Sequence, residues 1–523
     1  MASKRQITQK DKRTGIEYVY ESESYWDKEK KQTRYKSRRL IGQIDKATGA
    51  TVANRPTKAS PSGPSARRAL AGATYLFDEV CTITGIADDL MAVFPEDYKS
   101  ILSLAYYLVC EDKSPLSRFG HWSRLHTHPL GQDITSQQSS RLFASIGLAD
   151  AMRFFALRTA REDKGGYWYY DTTSISSYSQ VMRLVRWGKN KDGDSLAQLN
   201  VGVVYSAVSA LPVSFRRTAG NIADVSTLKR VIAENKAIDA KAVRLCMDRG
   251  FYSKTNIDAM MAAHMKFLIG TKTSLKYVKE AIKEHAAGLR QPDCLDLKKG
   301  IYGLKVPFSW DFEHAPLRKD RTASAPKRAY LHLFYSPVRA IEDETVLNTK
   351  LRHLADELGE GRRVAGHEDS YERYFTIVRK KPVANTDVID AEKELFGYFA
   401  LLTNDASLSP HQALAIYRRK DLIEKAFCDI KDRLDFKTPR VSNMEALDGK
   451  LFCVFVALII ISWLKDAMSK AGLSKDWTVQ GLIDELDSIE RYESEGHLPR
   501  VMAVTKKQHD IYEALGIKPL GVS

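Results

Sequence analysis

Residues 416–431, IYRRKDLIEKAFCDIK, constrain the fold most. On a helix of 3.6 residues per turn, offsets of three, seven and fourteen return Tyr417, Lys420, Glu424 and Lys431 to nearly the same angle. A single carboxylate bracketed by a phenol and two ammonium groups suits a face that offers one metal-binding ligand to a phosphate backbone held by cations. Read alone, the segment also fits an amphipathic surface helix with charge pairs three and four residues apart. The choice turns on whether other segments supply further carboxylates.

Two segments do. Residues 167–174, YWYYDTTS, form an aromatic run of strong strand propensity that ends in an aspartate and hydroxyl residues. Alternation sets Trp168 and Tyr170 on one side and Tyr169 and Asp171 on the other, with Asp171 near the strand's end. Residues 242–251, AVRLCMDRGF, carry Asp248 from a short apolar run into a glycine-containing turn, and Ser253 offers a cap to the helix beyond. Each aspartate alone is an ordinary strand-end or turn residue. Two such carboxylates and a third on a later helix are what a two-metal phosphoryl-transfer site requires.

The chain has 523 residues and a formal net charge of +15, with 15 Lys or Arg against 7 Asp or Glu in its first 60 positions. That balance favours a polyanionic partner such as DNA, RNA or an anionic membrane. Hydrophobic content of 44% argues against global disorder. Cys81, Cys110, Cys246, Cys294, Cys428 and Cys453 lack zinc-ligand or C-x-x-C spacing and read as reduced thiols of a cytosolic protein. His121, His126 and His128 have no nearby cysteine or carboxylate in sequence to complete a zinc site. No signal-peptide core opens the chain, and the apolar run at 451–464 is too short to span a bilayer comfortably, so it reads as a buried helix. A soluble, cytoplasmic protein is expected.

Residues 1–54 read as a basic β-rich segment, with strands at GIEYVYES and RYKSRRLIGQI and a turn at DKATG. A Pro-, Ser- and Gly-rich linker follows at 55–69, then a helical, DNA-binding domain at 70–160. Within it, DITSQQSSRLFASIG sets a Ser or Thr cap before Gln137, Gln138, Ser140 and Arg141. These side chains suit contacts to bases or phosphates at a helix N-terminus, and equally an ordinary capped surface helix.

Tyr417, Lys420, Glu424 and Lys431 fit the signature Y-x2-R-x3-E-x6-K, with lysine in the arginine position. Asp248, Gly250 and Phe251 fit D-x-G-F, and Asp171 fits a first-aspartate motif, with smaller matches at Gly220, Asn221, Asp224, Thr403 and Asn404. In this combination the chain resembles the cut-and-paste DDE transposases of bacterial insertion sequences, over roughly residues 165–470. The resemblance implies an α/β fold with an RNase H-like catalytic core at 161–271 and 396–440. The core is expected to hold the Asp171 strand, a hairpin around Ser209, a crossover helix from Asp224 to about Asn235, the Asp248 strand and a strand at 266–270. Residues 272–395 are expected to form a β-rich insertion that shapes the DNA end, and 441–523 a C-terminal helical region. By the same resemblance, Asp171, Asp248 and Glu424 hold two magnesium ions (Mg2+, with Mn2+ able to substitute), while Tyr417, Lys420 and Lys431 contact DNA. A homodimer then pairs two transposon ends, nicks them, frees them through a hairpin and joins their 3′-hydroxyls to target DNA at the nucleoid. The alternatives are a nuclease of the same fold without strand transfer and a DNA-binding regulator whose chemistry has lapsed. An intact acidic trio argues against the regulator, because carboxylates facing a polyanion give a binding protein nothing.

Overall fold

Aromatic and β-branched residues alternate with polar ones through the first fifty positions, and there the chain folds as an antiparallel meander. Its strands are β1 (Ser3–Lys10), β2 (Glu17–Asp27), β3 (Gln32–Ile44) and β4 (Thr51–Ala53), paired in that order. The turn expected at DKATG closes through Gly49, whose amide donates to the Asp45 carbonyl at 2.8 Å and whose φ of 67° suits glycine. These observations come from a computed structural model that describes residues 3–11, 15–27, 30–45, 49–53, 66–163, 165–222, 226, 228, 244–313, 324–378, 381–441, 443–494 and 498–521. The chain divides into two units, Met1–Arg68 with Tyr492–Arg500 and Ala69–Arg491 with Val501–Ser523. Residues 55–65 of the expected linker lie outside the described residues, whereas Ala66–Leu70 forms strand β5.

The second unit opens with six helices: α1 (Gly72–Thr84), α2 (Ile86–Val93), α3 (Tyr98–Cys110), α4 (Phe119–Leu125), α5 (Ser136–Ser145) and α6 (Leu148–Ala160). Three strands follow as a meander, β6 (Tyr167–Ser176), β7 (Gln198–Ser206) and β8 (Pro212–Ala219), with the expected hairpin at residues 207–211. The expected crossover helix falls almost wholly outside the described residues. Strand β9 (Arg244–Met247) then pairs parallel to β6. Helix α7 (Lys254–Ala262), capped by the Ser253 side chain, leads to β10 (Lys266–Thr271), which pairs parallel to β9.

Residues 272–395 depart from the expected β-rich insertion. They contain helices α8 (Lys276–Leu289), α9 (Pro337–Gly359), α10 (Glu368–Tyr374) and α11 (Thr386–Lys393). Their strands are β11 (Leu295–Asp296), β12 (Ile301–Glu313), β13 (Ser324–Tyr335), and the small hairpin β14 (Phe375–Val378) and β15 (Lys381–Ala384). Strand β16 (Tyr398–Thr403) lies between β10 and β13, giving one nine-stranded sheet in the order β11-β12-β13-β16-β10-β9-β6-β7-β8. The aromatic run YERYFTIV, one of the segments behind the expected β-rich character, starts as helix, because Tyr371 and Tyr374, three residues apart, both bury against Leu347, Leu354 and Ile389. Leu331 and Leu333 of β13 share a core with Leu245, Met247 and Ile269, so packing runs straight through residues 271 and 395.

The chain ends with α12 (Pro410–Arg418), α13 (Asp421–Cys428), α14 (Met444–Lys470), α15 (Val479–Asp487) and α16 (Lys506–Ala514). The apolar run at 451–464 sits inside α14, whose 27 residues are long and apolar enough to cross a membrane, yet 78% of its most apolar 18 residues are buried. A helix apolar on all sides is a core helix here, packed against α3 and α5. At Gly449 the α5 backbone comes so close that an added Cβ would meet the Phe143 carbonyl oxygen at 2.1 Å.

Candidate active site

Strands β6 and β9 run parallel with Tyr170 opposite Met247, so Asp171 and Asp248, the next residue on each, are neighbours on strands about 4.8 Å apart. Burial pushes the Asp171 carboxyl up, and nearby Asp248 adds to the rise. Lys191, the Thr172 amide and Lys420 oppose it. That amide donates to Asp171 Oδ1 at 2.8 Å. Burial also raises Asp248, but the Tyr417 hydroxyl, Lys420 and the Arg249 amide outweigh it and hold this carboxyl below its ordinary value. Two adjacent carboxyls are thus driven in opposite directions by their surroundings.

The helix expected over 416–431 is broken. It tightens after Arg418, where the Lys420 amide bonds to the Tyr417 carbonyl at 3.2 Å and the Ile423 amide to the Lys420 carbonyl at 3.0 Å, a 3₁₀ pattern. After α13 it widens into a π-turn at Asp429–Arg433. One continuous face therefore does not persist, and the four signature residues reach different partners. Tyr417 donates to Asp248 Oδ1 at 2.8 Å, and Lys420 to Glu424 Oε1 at 2.7 Å. Lys431 is drawn away to Asp192 Oδ1 at 2.6 Å, in the loop between β6 and β7.

Lys420 is only 8% exposed. Burial would lower its pKa, yet the Glu424 hydrogen bond and the charges of Asp248 and Asp171 raise it, so its ammonium sits among all three carboxylates. Glu424 remains open to solvent, with its side chain 61% exposed. Among the described residues the three carboxylates do not converge within 4.8 Å of one another; the group that does is His509, Asp510 and Glu513 on α16.

A cleft of about 360 Å³ is lined by Asp248, Tyr417, Lys420 and Glu424, together with Arg249, Gly270 and Arg339. Gly270 on β10 permits the Tyr417 contact: a Cβ there would lie 2.6 Å from the tyrosine hydroxyl and 3.2 Å from the Arg249 nitrogen. Another cleft, of about 930 Å³ beside Ser140, Ser177 and Arg440, is lined by none of these groups. Two cations at the site escaped the sequence reading. Lys191 donates to the Thr172 carbonyl at 2.6 Å, beside Asp171, and Arg339 reaches the cleft from α9. Lys191 lies in KNKDGD, a charged stretch that matches no motif, and Arg339 lies in the stretch taken for an insertion.

Other residues singled out by sequence serve packing. Asn404 accepts from the Phe267 amide at 3.0 Å and donates to the Met265 carbonyl at 2.9 Å, and Asp224 lies outside the described residues. On α5, Gln137, Ser140 and Arg141 are exposed, while the Gln138 side chain accepts from the Thr135 amide at 2.9 Å and closes a capping box. His126 bonds to the Trp122 carbonyl and to Asp487, both at 2.8 Å, and His128 to Ser123 and Ser103. The histidine cluster is tied into helix packing.

A family model described as "Transposase DDE domain" matches residues 162–460, more than half of the chain. A solved structure described as a cryo-EM structure of a piggyBac transposase synaptic complex with hairpin DNA aligns at 11% identity. The alignment covers 78% of this chain and 70% of that one at a TM-score of 0.32, too slight a likeness to carry an argument. No curated protein matches the sequence.

Proposed function

The chain belongs to the DDE transposase family, and on that premise we propose that Asp171, Asp248 and Glu424 are the carboxylates with which it cleaves the ends of a mobile element and joins their 3′-hydroxyls to target DNA. The observation that carries this reading is the placement of Asp171 and Asp248 side by side on parallel strands, with Glu424 linked to both through Lys420. The strand order β8-β7-β6-β9-β10 supports an RNase H-like core. Transposases of this family generally use divalent metals. The donor set here, three carboxylates, fits a hard, oxygen-seeking cation, for which we infer Mg2+ with Mn2+ as a substitute. Two such ions, when bound, supply activation of the attacking hydroxyl and stabilisation of the leaving oxygen.

The chain's own groups do the remainder. Tyr417 keeps Asp248 ionised and fixed in direction. Lys420 and Lys191 offset the negative charge that a DNA strand brings to Asp171. Arg339 stands where a phosphate would enter the cleft. Tyr417, Lys420 and Lys431 are the proposed contacts to the DNA end, and at Lys431 a phosphate must compete with Asp192. A homodimer would pair two ends at the nucleoid of the cytoplasm.

The test incubates the full chain with DNA carrying its element's ends and target DNA in Mg2+. We expect cleaved ends and joined products, both lost in chelator. In Asp171→Asn, Asp248→Asn and Glu424→Gln, cleavage should fall at least about a thousandfold while end binding persists. Near wild-type cutting by any variant removes that residue from the site. Cleavage without joining identifies a nuclease instead, and end binding without cleavage a lapsed regulator.

A further inference from the structure

The N-terminal meander sorts its side chains by face. Cross-strand partners share a face, and the pairs Arg5 with Ser22 and Ser22 with Arg38, Ile7 with Tyr20 and Tyr20 with Leu40, and Trp26 with Thr33 define one side. That side presents Tyr18, Tyr20 and Trp26 with Arg5 and Arg38, and no described carboxylate. The Arg38 guanidinium lies 4.0 Å over the Tyr20 ring, and Trp26 is 60% exposed. Glu17, Glu21, Glu23 and Asp27 all fall on the opposite side, where Arg34 pairs with Asp27 at 3.5 Å. Among the described residues of this unit only Val19, Ser22 and Gly42 are buried. A single-layer sheet with so small a core has a face left to cover.

We propose that this aromatic and arginine face is a stacking platform for unpaired nucleotides. Flat rings and guanidinium planes on a sheet match the faces of bases, and arginines without competing carboxylates match the phosphates between them. A duplex hides its base faces and gains little from such a surface. The platform shares no residue with the carboxylate site and does not depend on its chemistry.

The experiment measures binding of the full chain to a labelled oligothymidylate, and to a duplex of equal length, across a range of salt. The single strand should bind more tightly. Trp26→Leu, which removes the ring at an exposed strand end, should weaken it roughly tenfold, and Trp26→Phe should restore it. Arg38→Ala should weaken binding and lower the salt slope by roughly one, whereas Arg39→Ala, the same charge loss on the opposite face, should leave both unchanged. Equal effects of the two arginine variants, or an indifferent Trp26→Leu, would overturn the proposal. Binding to phosphatidylglycerol vesicles that depends on Trp26, with no oligothymidylate binding, would reassign the face to membranes. None of these measurements reads strand cleavage, so an inactive carboxylate site leaves the result intact.

Discussion

The Tyr417 hydroxyl donates to Asp248 Oδ1 at 2.8 Å across the end of β10, and this one bond links the signature helix to the second strand aspartate. Both groups are partly buried, and a hydrogen bond to a charged group in such a setting contributes about 1.5–3 kcal/mol. Asp248 is held below its ordinary pKa, so its ionised form is lost only as pH falls through that lowered value. Tyr417→Phe should let the carboxyl titrate higher and shift the acid limb of the cleavage rate to higher pH. An unmoved acid limb in the phenylalanine variant would show that the bond does not tune Asp248.

Gly270→Ala should disturb the same contact from the other side. The new methyl would press on the Tyr417 hydroxyl at 2.6 Å, and the expected cost is about 1–3 kcal/mol of stability. Adding Tyr417→Phe removes the struck oxygen and should return part of that loss. Strict additivity in denaturant melts of the single and double variants would mean the ring does not occupy this space.

A pH effect on stability should arise at His332 on β13, which is fully buried and whose ring nitrogens have no hydrogen-bond partner among the described residues. Burial, aided by Lys305, pushes its pKa down to about 4. Between pH 6.5 and 4 the unfolded chain takes up a proton that the folded chain refuses, so stability declines as pH falls through that window and changes no further below it. The loss is on the order of 3 kcal/mol. His332→Phe should flatten the difference, and parallel stability curves for variant and wild type from pH 7 to 4 would contradict it.

Removing residues 272–395 and rejoining the ends should yield insoluble protein. Strand β16 pairs with β13 along Tyr330–Tyr335, and Trp310 of β12 donates to Asp258 on α7 at 2.7 Å. Recovery of a soluble protein with a cooperative melt would show that β16 and the core stand without these strands.

Both aspartates were legible because aromatic alternation and a short apolar run followed by glycine are local signals. Asp171, however, falls in the middle of β6, which pairs on through Ser176, and not near the strand's end as expected; only Asp248 follows its strand. The neighbourhood of Asp171 and Asp248 depends on the parallel pairing of β6 with β9, which no local pattern reports. Spacing singled out Tyr417, Lys420 and Glu424 but implied one helical face. The 3₁₀ tightening at Lys420 and the π-turn after Cys428 redirect Lys431 to Asp192, and nothing in the run IYRRKDLIEKAFCDIK marks either change. Residues 272–395 misled for a related reason. Strands Ile301–Glu313 and Ser324–Tyr335 read as strands from sequence, but whether they form a separate sheet or extend an existing one is decided by an edge far away in the chain.

That late pairing has a cost during synthesis. Strand β10, KFLIGT, is apolar and flanked on one side by β9, yet the strand that covers its other side is not made until residues 272–397 have been translated. At usual elongation rates of about 5–20 residues per second the delay is on the order of ten seconds. For that interval a nascent chain on a polysome carries an open edge beside identical edges on its neighbours, the arrangement that favours strand exchange between chains. Yield of soluble protein should therefore be governed by how fast the ribosome crosses this stretch, more than by the stability of the finished sheet.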